Sequence, residues 1–409
     1  MTKEERELRR EQREHMKRME AAAKEAGRGP IDVPFLLLVL LLTGVGLIML
    51  LSASFPSAYY ESGDPLYYFK RQAAFATLGL AAMVVIGRIN YARFRGVAKI
   101  ALGISIALLV AVIIPGVGIT SHGATRWLGI PGTTMRFQPS EIAKIAVVLF
   151  FSSMICTYKD QMQTIRYGVV PFMVITGGIV ILLMLEPHLS ASIIIMALAI
   201  VMMFVGGIKL SYLLIGMGGA GALLLIAGKF VPYVHKRIVS WRDPFADTSA
   251  AGYQIVQSLY SIGSGGFLGL GLGQSRQKYL YLPEEHNDYI FSIVCEELGY
   301  VGAVAILILF ALLICRGYWI AAHSPDRYSF LVGVGITTLL SIQVFLNIAV
   351  VTNLIPCTGI SLPFFSYGGT ALLMQLGEMG IILSISRDIP TKKAGYHPIL
   401  QAVSAARAA

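Results

Sequence analysis

From Val33 to Ala53 the chain carries no charged side chain. A helix needs about 20 apolar residues to cross the hydrocarbon core of a bilayer, where its backbone polar groups can only be satisfied internally. A run of this length therefore predicts a membrane helix. Nine further apolar runs follow, at 70–87, 98–116, 139–157, 168–185, 188–207, 210–229, 289–315, 329–353 and 364–385. The fifth and sixth spans are parted only by Glu186-Pro187-His188 and could form one bent pair. The expected fold is an all-α polytopic membrane protein of about ten transmembrane helices. Composition excludes the alternatives. Only 14% of the residues are charged and 56% are hydrophobic, whereas a soluble domain carries about 25% charge. A disordered chain lacks such apolar content. The four cysteines, Cys156, Cys295, Cys315 and Cys357, have no metal-ligand spacing and read as small hydrophobes.

Lysine and arginine set the orientation. With the N-terminus inside, the short inner loops hold Arg88, Arg93 and Arg95, then Lys159 and Arg166, Lys209, and Arg316 with Arg327. Both termini are then cytoplasmic. Residues 1–30 form a separate charged extension with nine Lys/Arg and seven Glu. It is either a solvated helix that helps set topology or a docking helix for a partner or for lipid headgroups. Residues 31–388 form the membrane domain and 389–409 a cytoplasmic tail. Loop 230–288, between helices 7 and 8, is the large extracytoplasmic loop. Arg126 and Arg136 in outer loop 117–138, and Lys236, Arg237, Arg242, Arg276 and Lys278 in loop 230–288, lie outside against the bias. An anionic ligand on that face would account for them.

Polar residues concentrate toward the same face. Span four opens with Gln138-Pro139-Ser140-Glu141 and carries Lys144; residues three apart share a helix face, so Glu141 and Lys144 can pair. Glu296-Glu297, Gln343, Asn347 and Glu378 are either functional or interhelical glue. The glycines between Gly263 and Gly273 permit close backbone approach. They lack the Gly-Lys-Ser/Thr ending of a nucleotide loop, which argues against an ATPase. Residues 253–262 have helical apolar spacing suited to the membrane surface. Loop 230–288 ends in Glu284-Glu285-His286-Asn287-Asp288. Neighbouring carboxylates raise each other's pKa, and a base tuned that way can deprotonate a hydroxyl. Asp288 could equally cap the next helix. Arg126-Trp127 pairs a phosphate-binding fork with a ring that belongs to an interfacial belt or stacks on a sugar. The prolines and glycines of Pro356–Thr370 predict re-entrant backbone, tolerated at membrane depth only against protein or a cavity.

Arg126-Trp127, Gln138-Pro139-Ser140-Glu141 with Lys144, Leu282-Pro283-Glu284 with His286-Asn287-Asp288, and Pro363-Phe364-Phe365-Ser366-Tyr367-Gly368-Gly369 together resemble the SEDS family (shape, elongation, division and sporulation) from about residue 33 to 388. The resemblance implies a ten-helix peptidoglycan glycosyltransferase of the bacterial cytoplasmic membrane, polymerising lipid II with inversion and releasing undecaprenyl pyrophosphate. It implies a class B penicillin-binding protein as crosslinking partner, with other division proteins. By resemblance Asp288 matches the essential outer-loop aspartate, and Arg126, Trp127 and Lys144 match positions near the substrate cavity. Glu141, Arg237, Glu285, His286, Ser366 and Tyr367 complete the expected substrate-binding set. A divalent cation (Mg or Mn) could share the pyrophosphate, although the sequence shows no metal cage; neither nucleotide nor nucleic acid is expected. Residues 275–281 and the charged extension favour the division branch, at the septum, over the elongation branch, and the sporulation branch is similar. One departure stands out: where the family commonly has Pro-Asp after span five, this chain has Pro187-His188. Two other classes compete: a lipid-linked oligosaccharide flippase, which needs polar residues through the whole membrane depth, and a non-catalytic scaffold for a transpeptidase.

Overall fold

The computed structural model describes residues 28–121, 124–129, 136–246 and 250–389. Most of the charged extension, Gly123 and the tail after Ile389 lie outside the described residues. In chain order the helices are α1 (Val33–Ser62), α2 (Tyr67–Arg88), α3 (Ala92–Ile113), α4 (Pro139–Thr157), α5 (Val170–Leu185), α6 (Leu189–Val205), α7 (Leu210–Phe230), α8 (Pro232–Arg242), α9 (Ala250–Ser264), α10 (Ile290–Ala322), α11 (Arg327–Val351) and α12 (Gly369–Ser386). Among the described residues eight helices are long and apolar enough to cross a membrane: α1 to α4, α5 with the π-helical turn before it, and α10 to α12. The other two expected spans correspond to α6 and the apolar stretch Leu210–Gly219 of α7, which are shorter. At 1.5 Å per residue, the 17 residues of α6 reach roughly 25 Å, short of a hydrocarbon core of about 30 Å. Residues 186–188 separate α5 from α6, so the fifth and sixth spans are two helices.

Both ends of the membrane domain meet on one face. The Gly29 amide donates to the Arg387 carbonyl at 2.8 Å, and Arg28 pairs with Asp388 at 2.8 Å. Arg316 at the inner end of α10 holds Asp32, the residue capping α1, at 2.6 Å. A chain whose ends share a face crosses an even number of times. Helices α11 and α12 form the centre of the bundle, with 72% of their apolar windows buried, against 28% for α3 and α5.

The all-α expectation needs one correction. Outer loop 117–138 contains a small antiparallel sheet, β1 (Gly118–Ser121), β2 (Ala124–Gly129) and β3 (Arg136–Phe137), in the order β1-β2-β3. Thr120 pairs with Thr125, and Ile119 lies opposite Trp127. Threonine, isoleucine and tryptophan suit a pleated surface, and strands of two to six residues are too short to announce themselves by periodicity.

Loop 230–288 is largely ordered structure. Helix α9 packs against α10: Ser258 Oγ lies 2.7 Å from Ser292 Oγ and Ser261 Oγ donates to the Ser292 carbonyl at 2.9 Å. The glycine-rich stretch then docks on a break in α10. Gly299 has φ +67, and a Cβ there would lie 2.2 Å from the Gly269 nitrogen. Around that break Leu270 and Gly271 amides donate to the Glu296 and Glu297 carbonyls at 3.0 Å, and the Tyr300 amide to the Gly266 carbonyl at 2.9 Å. The glycines serve backbone-to-backbone packing, which any side chain would obstruct.

Candidate active site

The outer end of the bundle is assembled by backbone ties between the end of loop 230–288 and the re-entrant segment between α11 and α12. Asn347 of α11 donates through Nδ2 to the carbonyls of Asp288 (2.8 Å) and Ile360 (2.6 Å), joining both segments to the central helix. The Tyr367 amide donates to the His286 carbonyl at 2.8 Å, and Ser366 Oγ to the Asn287 carbonyl at 2.7 Å. Gln72 of α2 donates to the Ser366 carbonyl and accepts from the Gly368 amide. Helix α8 clamps the other side: Trp241 Nε1 donates to the Asn353 carbonyl at 3.0 Å, and Arg237 donates to the Cys357 carbonyl. Irregular backbone at membrane depth is tolerated where protein meets its polar groups, as these ties do.

These ties wall a cavity of about 1440 Å³. Asp288, Arg126, Trp127, Glu141, Lys144, Arg237 and Tyr367 all line it, so most of the residues expected from sequence converge. Lys144 and Glu141 form the expected ion pair at 2.8 Å, with the lysine side chain 3% exposed. Arg126 is held by the loop between α5 and α6, donating to the carbonyls of Glu186 (3.4 Å) and Pro187. Asp288 is not a helix cap. The residue preceding α10 is Tyr289, and no side chain caps that helix. The carboxylate instead faces Gly359, where φ is +70 and a Cβ would lie 3.0 Å from Asp288 Oδ2.

Burial drives the electrostatics of the site. It pushes the Asp288 carboxyl up to about 6, with Glu284 adding to the rise and Arg237, Arg126 and His286 opposing it. That places a base near working pH. Burial, seconded by Arg126 and Lys144, pushes the His188 imidazole down to about 3, so it is neutral. His188 lines the cavity, its Nε2 3.3 Å from Gln138 Nε2, while its Nδ1 has no partner. Glu186 beside it is raised to about 8 by burial, against Arg126, and its Oε1 has no partner either. Unmet buried polar atoms are uncommon enough to mark a place where a ligand or strain is accommodated.

Three residues of the expected binding set do not line the cavity. Glu285 and His286 are buried and pair with each other at 3.2 Å, with the imidazole 4.4 Å from the Tyr68 ring. Ser366 Oγ accepts from the Leu362 amide at 2.7 Å besides donating to Asn287, so it fixes the re-entrant turn. Sequence reasoning missed Tyr67, Tyr68 and Arg71 at the start of α2, and Gly359, which do line the cavity, as does Gln138 of the motif that opens span four. A signal existed for Arg71: it sits at the outer end of its span, where the topology bias disfavours basic residues. Among the described residues no three His, Cys, Asp or Glu come close enough to hold a metal ion, and no step below is assigned to one.

A helical membrane bundle with a large cavity lined by the raised carboxyl of Asp288 and several arginines defines a membrane-embedded protein with a charged chamber. Comparison with known proteins narrows the class. Residues 33–390 match the cell cycle protein family of FtsW, RodA and SpoVE. The chain is 42% identical over 360 residues to the stage V sporulation protein E of Bacillus subtilis, covering 87% of this chain and 97% of that one. It is 39% identical over 365 residues to a probable peptidoglycan glycosyltransferase FtsW of Trichlorobacter lovleyi, covering 88% and 93%. Its fold is similar to a chain of a solved peptidoglycan synthase complex in which polymerization and crosslinking are coordinated (TM-score 0.74, 27% identity, 88% and 98% covered). It is also similar to the rod shape determining protein RodA of Thermus thermophilus (TM-score 0.65, 26% identity, 88% and 98% covered). The chain belongs to the FtsW/RodA/SpoVE family.

Proposed function

We infer that the chain is a peptidoglycan glycosyltransferase that polymerises lipid II at the outer face of the cytoplasmic membrane, with Asp288 as general base. The observation that carries the reading is one cavity holding a raised carboxyl together with Arg126 and Arg237, the cations nearest it in effect. In the reaction, Asp288 takes the proton of the acceptor sugar's 4-hydroxyl as that oxygen attacks the anomeric carbon of the donor. The bond from that carbon to the lipid pyrophosphate breaks, the pyrophosphate leaves with the electron pair, and the configuration inverts. Arg126 and Arg237 stabilise the departing charge, the kind of electrostatic contribution that often dominates catalysis. The Lys144–Glu141 pair and the neutral His188 form the wall behind them and offer hydrogen bonds to sugar hydroxyls.

The family's sporulation and division members are both close to this sequence, and division, at the septum, is the reading we favour from residues 275–281 and the charged extension. The synthase-complex likeness supports a crosslinking penicillin-binding protein as partner. The test is polymerisation of purified lipid II by the full chain, alone and with that partner: glycan strands are expected from the parent, and polymerisation lowered about 10²-fold or more from Asp288→Asn. Strands of undiminished length from that variant remove Asp288 from the chemistry. Translocation of labelled lipid II across liposomes without polymerisation would favour a flippase.

A further inference from the structure

Two lipid pyrophosphates must be present at once, and chemistry fixes where each lies. The donor's pyrophosphate is bonded to the carbon under attack, so it sits beside Asp288. The acceptor's attacking hydroxyl is on its outer sugar, while its pyrophosphate hangs from the inner one. The acceptor's anion is therefore two pyranose rings away from Asp288, and cations beside Asp288 cannot serve both. Arg126 and Arg237 act on Asp288. A second basic group lies elsewhere on the same cavity wall. Arg71 hydrogen-bonds the Tyr367 hydroxyl, and Arg136 of β3, which lines the same cavity, acts on that hydroxyl through its charge. The Arg71 guanidinium is stacked over the Tyr67 ring at 4.5 Å, which orients its fork.

We propose that Arg71 and Arg136, gathered at Tyr367, form a second anion site that holds the pyrophosphate of the acceptor lipid-linked disaccharide. The proposal rests on the glycosyltransferase reading and deepens it. Aromatic rings on the cavity wall suit a sugar. Tyr68 packs edge-on to Tyr367 at 4.8 Å and against His286 at 4.4 Å, two residues before Asp288. Aromatic rings of this kind pack on sugar faces while the polar edges find hydrogen bonds. The cavity, at about 1440 Å³, exceeds the 300–1,000 Å³ usual for a single drug-sized ligand, leaving room for two head groups. Glu61 also lines this end, but its carboxylate accepts from the Tyr68 hydroxyl. Arg71 and Arg136 also lie on the face where the topology rule disfavours them, as a phosphate site requires.

The experiment uses the full chain in nanodiscs with a labelled lipid-linked donor and two acceptors: lipid II, and the same disaccharide bearing a methyl group in place of the lipid pyrophosphate. The readout is the preference for the pyrophosphate-bearing acceptor. Arg71→Ala and Arg136→Ala should each lower that preference about tenfold, as loss of a charge-assisted hydrogen bond does. The double variant should lower it further, and Arg71→Lys should restore part of it. Arg237→Ala should slow both acceptors alike. If Arg71→Ala fails to fold, the exposed Arg136 decides through Arg136→Ala alone. An unchanged preference in Arg136→Ala or in the double variant overturns the acceptor site while leaving the glycosyltransferase reading intact. Failure of the parent to use either acceptor overturns that reading, and the acceptor site with it.

Discussion

Two regions of this membrane domain bury carboxylates beside a lysine, and they treat them in opposite ways. At the glycine-rich dock, Glu296 accepts from Ser275 Oγ (2.5 Å), Ser261 Oγ (3.1 Å) and the Arg276 amide (3.0 Å). Glu297 accepts from Ser52 Oγ (2.7 Å) and pairs with Lys278 at 2.9 Å. Each carboxylate there is met by fixed donors, so the network rigidifies and specifies the fold. On the wall of the outer cavity His188, and next to it Glu186, keep atoms without partners, and Asp288 is pushed up to about 6. A fully satisfied buried network holds structure; one left partly unmet waits for something else. The acid-rich stretches of loop 230–288 and span eight thus divide into a scaffold and a reaction chamber separated by two turns of α10.

The sharpest way to break that contrast is to neutralise one carboxylate in each region. Asp288→Asn is expected to lower polymerisation about 10²-fold or more, the usual contribution of a general base. Its stability should move the other way. Because the folded carboxyl is raised from 3.8 to about 6, the folded state retains a proton through that window that the unfolded state releases. Stability therefore falls as pH rises through it, and above it the charged group is a standing cost. At pH 7.5 the asparagine variant should melt no lower than the parent. Glu297→Ala should do the reverse. Stranding buried Lys278 is expected to cost about 3–5 kcal/mol, seen as a large drop in thermal midpoint, and Glu297→Leu with Lys278→Met should recover part of it. A Glu297→Ala protein that melts like the parent would end the scaffold assignment.

What sequence could and could not say follows the same division. Long uncharged runs such as 33–53 announce helices because membrane backbone has no alternative; Arg126 and Arg237 announce themselves by sitting on the wrong side of a charge rule, and Lys144 by its charge inside a span. The role of Glu296 stays open between function and interhelical glue in sequence, since it is decided by donors from Ser261 and Ser275, brought in by a loop whose docking depends on Gly299. Glu285, His286 and Ser366 are expected to bind substrate because they sit within the acidic cluster and the motifs that carry the resemblance. Adjacent residues in an irregular segment point in different directions, and these three point into the protein. Arg71 was hidden inside an apolar count, and Gly359 has no side chain to notice.

Gly359 offers a finer test of how closely the chamber is fitted around its base. At φ +70, alanine carries roughly 1–2 kcal/mol of backbone strain, and its Cβ would stand 3.0 Å from Asp288 Oδ2. Displacing the carboxylate by a fraction of an ångström should lower kcat about tenfold, since small misplacements of catalytic groups carry such penalties. The melting temperature should change far less than in Glu297→Ala. Unaltered kcat would mean that Asp288 is not positioned by the re-entrant segment.

The smallest effect concerns what sets the charge of the base. In the parent, the catalytic rate should be half-maximal near pH 6 and fall about tenfold per unit below it, because the proton on Asp288 removes the base. Among the described residues Glu284 is the anion that raises that carboxyl, while Arg237, Arg126 and His286 oppose the rise. Removing the anion by Glu284→Gln favours ionised Asp288, so the acid limb should move to lower pH. Burial remains the larger cause, so the limb should stop short of an ordinary aspartate's range. At pH 5.5 the variant should therefore outpace the parent, with rates converging above pH 7. An acid limb that stays in place would mean that Glu284 does not act on the base and that desolvation alone tunes the chamber.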